Sequence, residues 1–251
     1  MMVRQSLFIT IIIAALIGGG CATTAPYNPF KVTQEEIYAK TKTIALTPVV
    51  VPGDLTDPEA LKAKFESLLE AKLREAGFLT VPSKEFAEIW KRMTEQVGGY
   101  FDPISGKRDE SKLKTVREHT YRELSTKFNA DAFLHSNIRV FKINWSGTTA
   151  RWHGASESIM PAGQQVLEVL VGINRYGTVP ALSLTVSLQD TNEVNLYLNS
   201  GGIQLVSKLS GSKFVPVPIY QLLLNEERNL NAVNIALGPF IKKPGSAEEP
   251  K

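Results

Sequence analysis

Ala181 to Gln189 reads ALSLTVSLQ. Leu182, Leu184, Val186 and Leu188 fall on one side of an extended chain, and Ser183, Thr185, Ser187 and Gln189 fall on the other. A strict period of two marks a half-buried antiparallel strand. Asp190-Thr191-Asn192-Glu193 follows as a turn, and Val194 to Leu198 as the returning strand. Gly201-Gly202 reads as a further turn before Ile203 to Val206. Gln165 to Ile173, mostly apolar, is another strand candidate, and Asn225 to Ile241 a closing helix with Leu230, Val233, Leu237 and Ile241 at helical spacing.

Upstream the pattern alternates strand and helix. Thr43 to Pro52 (TIALTPVVVP) is a continuous β-branched and apolar run, as expected of a buried strand. Asp57-Pro58 supplies an N-cap and a proline at the first helical position, where its missing N–H costs nothing. Leu61, Phe65, Leu68, Leu69, Leu73 and Ala76 then recur on one helical face, and Gly77 ends the helix as a left-handed cap. Leu79 to Pro82 is a short strand. Ser83 is placed to cap a second helix burying Phe86, Ile89, Trp90 and Met93. Gly98 to Asp109 is loop, a third helix carries Leu113, Val116, Leu124 and Phe128, and Ala130 to Ile143 is a long strand. The predicted fold class is α/β, a mixed parallel and antiparallel sheet with helices packed on it, with a right-handed crossover between its first two strands.

The N-terminus concerns location. Arg4, an apolar run from Leu7 to Ile17 broken by Thr10, and Gly18-Gly19-Gly20 compose a secretory signal. Cys21, the one cysteine in 251 residues, follows directly. A cysteine in that position resembles the lipobox of bacterial lipoproteins, with Gly18 where that family usually has leucine. The resemblance implies cleavage before Cys21, acylation of its thiol (palmitate among the chains), and a lipid-anchored protein. An ordinary secretory peptide cut near Gly20 or Ala22 is the alternative. An uncleaved span is disfavoured, because the apolar run falls short of the ~20 residues a helix needs to cross a bilayer. The domain reading is signal peptide 1–20, lipidated N-terminus and linker 21–42, one α/β domain 43–241, and a disordered tail 242–251.

Composition bounds the function. Without the signal, 27 basic residues face 25 acidic ones, so no clustered basic charge points to nucleic acid. A single cysteine excludes an intrachain disulfide and a thiolate metal cluster. Hydrophobic residues make up 43%, ordinary for a globular core.

Thr43–Pro52, REAGF (Arg74 to Phe78), LTVP and NADAFLHSNI (Asn129 to Ile138) together resemble the core of small bacterial envelope lipoproteins. That group includes the curli-secretion channel type, the penicillin-binding-protein activator type and the N-terminal domain of the Tol-system β-propeller protein. SLTVSLQDTNEVNLYLNSGG (Ser183 to Gly202) is similar to its strand–turn–strand, with Asn192-Glu193 in place of the usual Thr-Gly; Trp145 to Gly163 has no counterpart. The resemblance implies a non-catalytic module that docks other envelope proteins or self-associates. Ala22 is not the aspartate that retains lipoproteins at the inner membrane in some bacteria, which implies the outer membrane, periplasmic side.

No constellation of catalytic residues is legible. His119, His135 and His153 lack metal-ligand spacing, and no H-E-x-x-H is present. Ser111–Lys114 and Ser210–Lys213 match Ser-x-x-Lys, but the Lys-Thr-Gly partner of penicillin-recognising enzymes is missing. Gly154-Ala155-Ser156-Glu157-Ser158 lacks the final glycine of a nucleophile elbow. The expectation is no enzyme, no metal, no cofactor and no small-molecule substrate, with a cell-wall hydrolase of unfamiliar design as the outside alternative. The remaining candidate is Asn144 to Tyr176, whose Trp145, Trp152, Met160 and Tyr176 are the kind of side chains that dominate protein interfaces. It reads either as a strand and loop packing its tryptophans on the core, as a docking surface, or as a membrane-inserting hairpin of an oligomeric secretion channel. The last reading is weakened because Arg151 and His153 oppose a lipid face.

Overall fold

The computed structural model describes residues 27–53, 57–161 and 176–241. Cys21, the signal, the Gln165–Ile173 strand candidate and the 242–251 tail lie outside the described residues. In chain order the elements are α1 (Gln34–Lys40), β1 (Thr43–Leu46), α2 (Pro58–Glu75), β2 (Leu79–Val81), α3 (Ser83–Gln96), α4 (Glu110–Phe128) and β3 (Ala132–Ser146). There follow β4 (Thr149–Trp152), β5 (Ala155–Ser158), β6 (Tyr176–Asp190), β7 (Asn195–Leu205), β8 (Ser207–Ser210), β9 (Lys213–Pro216), a 3₁₀ turn (Ile219–Gln221) and α5 (Glu226–Ile241).

The sheet is mixed, as the patterning predicts. β1 lies parallel to both β2 and β3, whereas β6 runs antiparallel to β3 and β7. β6 pairs with β3 along the whole length of both strands, from Ala132↔Asp190 to Ser146↔Tyr176. The opposite side of β3 is shared by β1 at one end and β4 at the other. β3 and β6 thus belong to two differently built ends of one sheet.

At the β1–β2 end, helices cover both faces. α1, α2 and α5 bury Ile37, Phe65, Leu69, Leu73, Val233, Leu237 and Phe240 against Ile44, Leu46, Leu134 and the Leu182–Leu188 stripe of β6. α3 and α4 bury Phe86, Ile89, Met93, Val116, Tyr121 and Leu124 against Ala45, Val81 and Phe133. Each such large apolar side chain contributes roughly 1.5–3 kcal/mol by leaving water.

The local signals hold in detail for α2. Asp57 accepts from Ala60 N–H, Pro58 follows it, and Gly77 sits at φ 94° with its N–H donating to Arg74 O and Phe78 N–H to Leu73 O. That pair of bonds is the left-handed helix stop expected at a glycine. Three expectations are corrected. Ser83 does not cap α3: the cap position is Pro82, and the Ser83 hydroxyl donates to Glu66 instead. Residues 21–42 are not linker throughout, because Phe30 pairs with Tyr197 and α1 buries Ile37 in the main core. Gly201-Gly202 does not turn the chain; both lie within β7.

The physical reason for that last correction is close packing. A Cβ on Gly201 would sit 1.9 Å from the carbonyl oxygen of Ala232 in α5. On Gly202 it would meet Ala155 Cβ at 2.6 Å and Trp152 Nε1 at 2.8 Å. The glycine pair is a saddle that admits α5 and the β4–β5 hairpin against the strand.

That hairpin turns at His153 (φ 40°) and Gly154 (φ 74°), the two positive φ angles that a tight two-residue turn requires. It folds over to β7, where Gly202 N–H donates to His153 O at 2.9 Å. Glu157, nearly buried, fastens the seam: its carboxylate accepts from Leu205 N–H at 2.7 Å, Lys208 Nζ at 2.6 Å and Arg228 Nη1 at 2.8 Å. The second end of the sheet therefore closes on itself around Ile143, Trp145, Trp152, Ile159, Met160, Val179 and Leu205.

Candidate functional site

The four side chains expected as a partner surface part company. Trp145, Trp152 and Met160 are 8%, 7% and 5% exposed, inside the core of the closed end, whereas Tyr176 is 86% exposed. Trp152 Nε1 donates to Leu182 O at 3.3 Å, and Trp145 packs edge-on against Phe214. The tryptophans are packing residues, which corrects the docking-surface expectation for them. Nor does the segment as far as Met160 project. β4 and β5 are four residues each, against the ~9–11 of an outer-membrane strand, and they lie folded on β7.

The histidines are equally dispersed. His119 is exposed on α4, and His153 Nδ1 lies 2.9 Å from Ser183 Oγ, with burial lowering its pKa. His135, on β3 under α4, has Nε2 2.7 Å from the Tyr121 hydroxyl, which also lies 3.4 Å from Gln189 Oε1. Burial first, and the nearby Arg117 guanidinium second, push the His135 pKa down to about 4. It is therefore neutral at pH 7, an acceptor for the Tyr121 proton when its own sits on Nδ1. Burial raises the Tyr121 pKa. No group of three or more His, Cys, Asp or Glu able to hold a metal ion occurs among the described residues.

Outside this buried pair opens a polar cleft of about 720 Å³ between α4 and the β6–β7 turn, lined by Lys114, Glu118, Tyr121, Arg122, Ser125 and Asn192 among others. Its position follows from local structure. Asp109 caps α4 by accepting from Ser111 and Lys112 N–H. Asp190 Oδ1 accepts from Asn192 and Val194 N–H, and Glu193 adopts φ 64°, a side-chain-stabilised turn. Arg117 Nη1 bonds Glu193 Oε2 at 2.7 Å and ties the helix to the turn.

Of the hydroxyls lining the cleft, that of Tyr121 lies against His135, and those of Ser125 and Thr126 are committed to backbone: Ser125 Oγ donates to Ala130 O at 2.8 Å and Thr126 Oγ1 to Arg122 O at 2.8 Å. Neither is poised beside a base, as nucleophilic catalysis needs. What the cleft offers is charge and amide hydrogen bonding, with Lys114 and Arg122 at the rim. Ser111 lies on the same helix as Lys114, whose ammonium reaches Glu118 at 3.7 Å; Ser210 and Lys213 pair across the β8–β9 turn. Sequence reading missed this cleft. Arg117, Tyr121, Arg122 and Ser125 are spaced as one helical stripe, but only the tertiary fold brings Asn192 and Glu193 beside them.

These features define an α/β domain with helices on both faces of one sheet end, a self-closed second end, and an open polar cleft. No protein-family model matches the chain, and no curated protein matches it in sequence. Two structures of PelC dodecamers from Paraburkholderia phytofirmans align over 81% and 82% of this chain and 91% of theirs, at 10% identity and a TM-score of 0.35. A superposition that loose transfers neither fold nor function.

Proposed function

We propose that this protein is a lipid-anchored, non-catalytic docking or assembly module of the bacterial cell envelope, held at the outer membrane and facing the periplasm. The observation that carries the reading is Cys21 directly after an apolar run and three glycines. The body supports it. Described structure begins at Tyr27, with five residues, 22–26, between it and the acylation point. No helix among the described residues is long and apolar enough to cross a membrane. One acyl chain, at ~0.8 kcal/mol per buried methylene, binds only marginally, so stable anchoring takes several.

The docking role rests on the cleft between α4 and the β6–β7 turn. Its ionic rim suits a polar segment of an envelope protein or of a second copy, and its Ser125 and Thr126 hydroxyls are already bonded to backbone carbonyls. Metabolic labelling with an alkynyl palmitate tests the anchor: the parent chain incorporates label and Cys21→Ser does not. Label on Cys21→Ser, or none on the parent, overturns it. Co-purification from crosslinked envelopes tests the docking role, with Lys114→Glu plus Arg122→Glu expected to lose partners that the parent recovers.

A further inference from the structure

Between β7 and α5 the chain is clamped from inside and apolar outside. Leu222 and Leu223 are buried, and Leu223 adopts φ 64°, a left-handed conformation rare for a bulky side chain. Two buried polar residues hold it there: Gln204 Oε1 accepts from Leu223 N–H at 3.1 Å, and Asn229 Nδ2 donates to Leu223 O at 2.7 Å. Facing outward on the same segment are Ile219, Tyr220 and Leu224, at 48%, 63% and 64% exposure, with Val215 of β9 at 51%. Large apolar side chains held out beside a strained residue that is bonded at both its N–H and its carbonyl mark a contact surface. The flanking charges are exposed Lys213 and Glu227, and the paired Lys64–Glu226 and Arg228–Glu157.

The tether indicates what meets this surface. Tyr27 donates its hydroxyl to Leu198 O in β7 at 2.7 Å. From Cys21 to Tyr27 a fully extended chain spans at most ~20 Å. Gln204, which grips Leu223, lies six residues beyond Leu198 on that strand, again ~20 Å. A domain of this length has a radius of gyration of ~16 Å, so the tether is shorter than the body is wide. Acylation of Cys21 would therefore hold Tyr27 within ~20 Å of the bilayer surface and keep the body beside it. A tyrosine flanked by aliphatic side chains suits the interfacial layer, where one end of the ring is apolar and the other wet.

We infer that Ile219, Tyr220 and Leu224 lie in the interfacial layer of the bilayer to which the chain is tethered, an inference that rests on the acylation of Cys21. The test uses the full acylated protein in nanodiscs with or without brominated-chain phospholipid. Added tryptophans at Leu224→Trp and Tyr220→Trp report the surface, and Ile104→Trp, at a 96% exposed loop position, is the control. After subtraction of the parent signal, bromination should quench the two surface probes at least twofold more than the control. Equal quenching overturns the inference, as does a blue-shifted surface probe insensitive to bromination, which assigns the surface to a protein partner. The mass of the N-terminal peptide reports acylation separately. An unacylated peptide removes the anchor and with it the inference, whereas an acylated peptide with unquenched probes removes the inference alone.

Discussion

The two ends of the sheet share β3 and β6 yet are stabilised differently. Where β1 and β2 join them, the faces are covered by helices, and burial is distributed over many aliphatic contacts. Where β4 and β5 join them, no helix among the described residues contributes to the core and the strands curl over one another, concentrating the packing in Trp145, Trp152 and Gly202, with Gly201 meeting α5 where the two ends join. A distributed core tolerates the loss of one side chain better than a concentrated one, because fewer neighbours depend on each contact. The closed end should therefore be the more fragile to single substitutions.

The largest effect is expected at Gly201→Ala. The added methyl meets the backbone oxygen of Ala232, which no rotamer change relieves, so β7 and α5 must separate. Urea denaturation should show a loss of ~3 kcal/mol or more. Gly211→Ala, where no atom lies within 4 Å of the new Cβ, should lose only ~1 kcal/mol, from its left-handed backbone. Similar losses at the two sites would break the saddle account.

Trp152→Ala sharpens the comparison between the ends. It should cost ~3–5 kcal/mol if the cavity does not collapse. Amide exchange should accelerate in β4, β5 and the Gly202 end of β7 while β1, α3 and α4 stay protected. Uniform acceleration would mean that the two ends unfold as one unit.

The smallest of the three belongs to the helix-covered end and depends on pH. His135 titrates near 4 in the folded chain and near 6.5 unfolded. The unfolded state thus binds the extra proton first as pH falls. Stability is full above about 6.5 and declines toward 4, by roughly 2–3 kcal/mol in all. His135→Asn should flatten most of the difference between urea midpoints at pH 7 and 4.5, with a remainder from His153, whose pKa burial also lowers. An unchanged slope would show that His135 is not the group that titrates.

How legible each end was follows from the range of the contacts involved. Asp57, Pro58 and Gly77 bound α2 through bonds within the helix itself, so sequence spacing suffices to place it. The β6 alternation reports burial on one face directly. Gly201-Gly202 misleads because a glycine pair signals a turn and a close approach alike, and only the position of Ala232 separates the two. Trp145 and Trp152 mislead for a similar reason: aromatics suit an interface and a core equally well, and the choice depends on β7 closing over them. The candidate cleft was illegible because Arg117 and Glu193 meet across 76 residues of chain. The folded region also starts earlier than its sequence indicates. Phe30 and Ile37 are too few apolar residues to show a periodicity, although both pack on the main core.

Membrane fractionation of the producing cells decides most directly whether an acyl tether carries this body. The parent chain should sediment with outer-membrane vesicles, and Cys21→Ser should appear in the soluble fraction with its fold retained. Recovery of a folded Cys21→Ser protein in the vesicle fraction at the parent's level would contradict the lipid anchor.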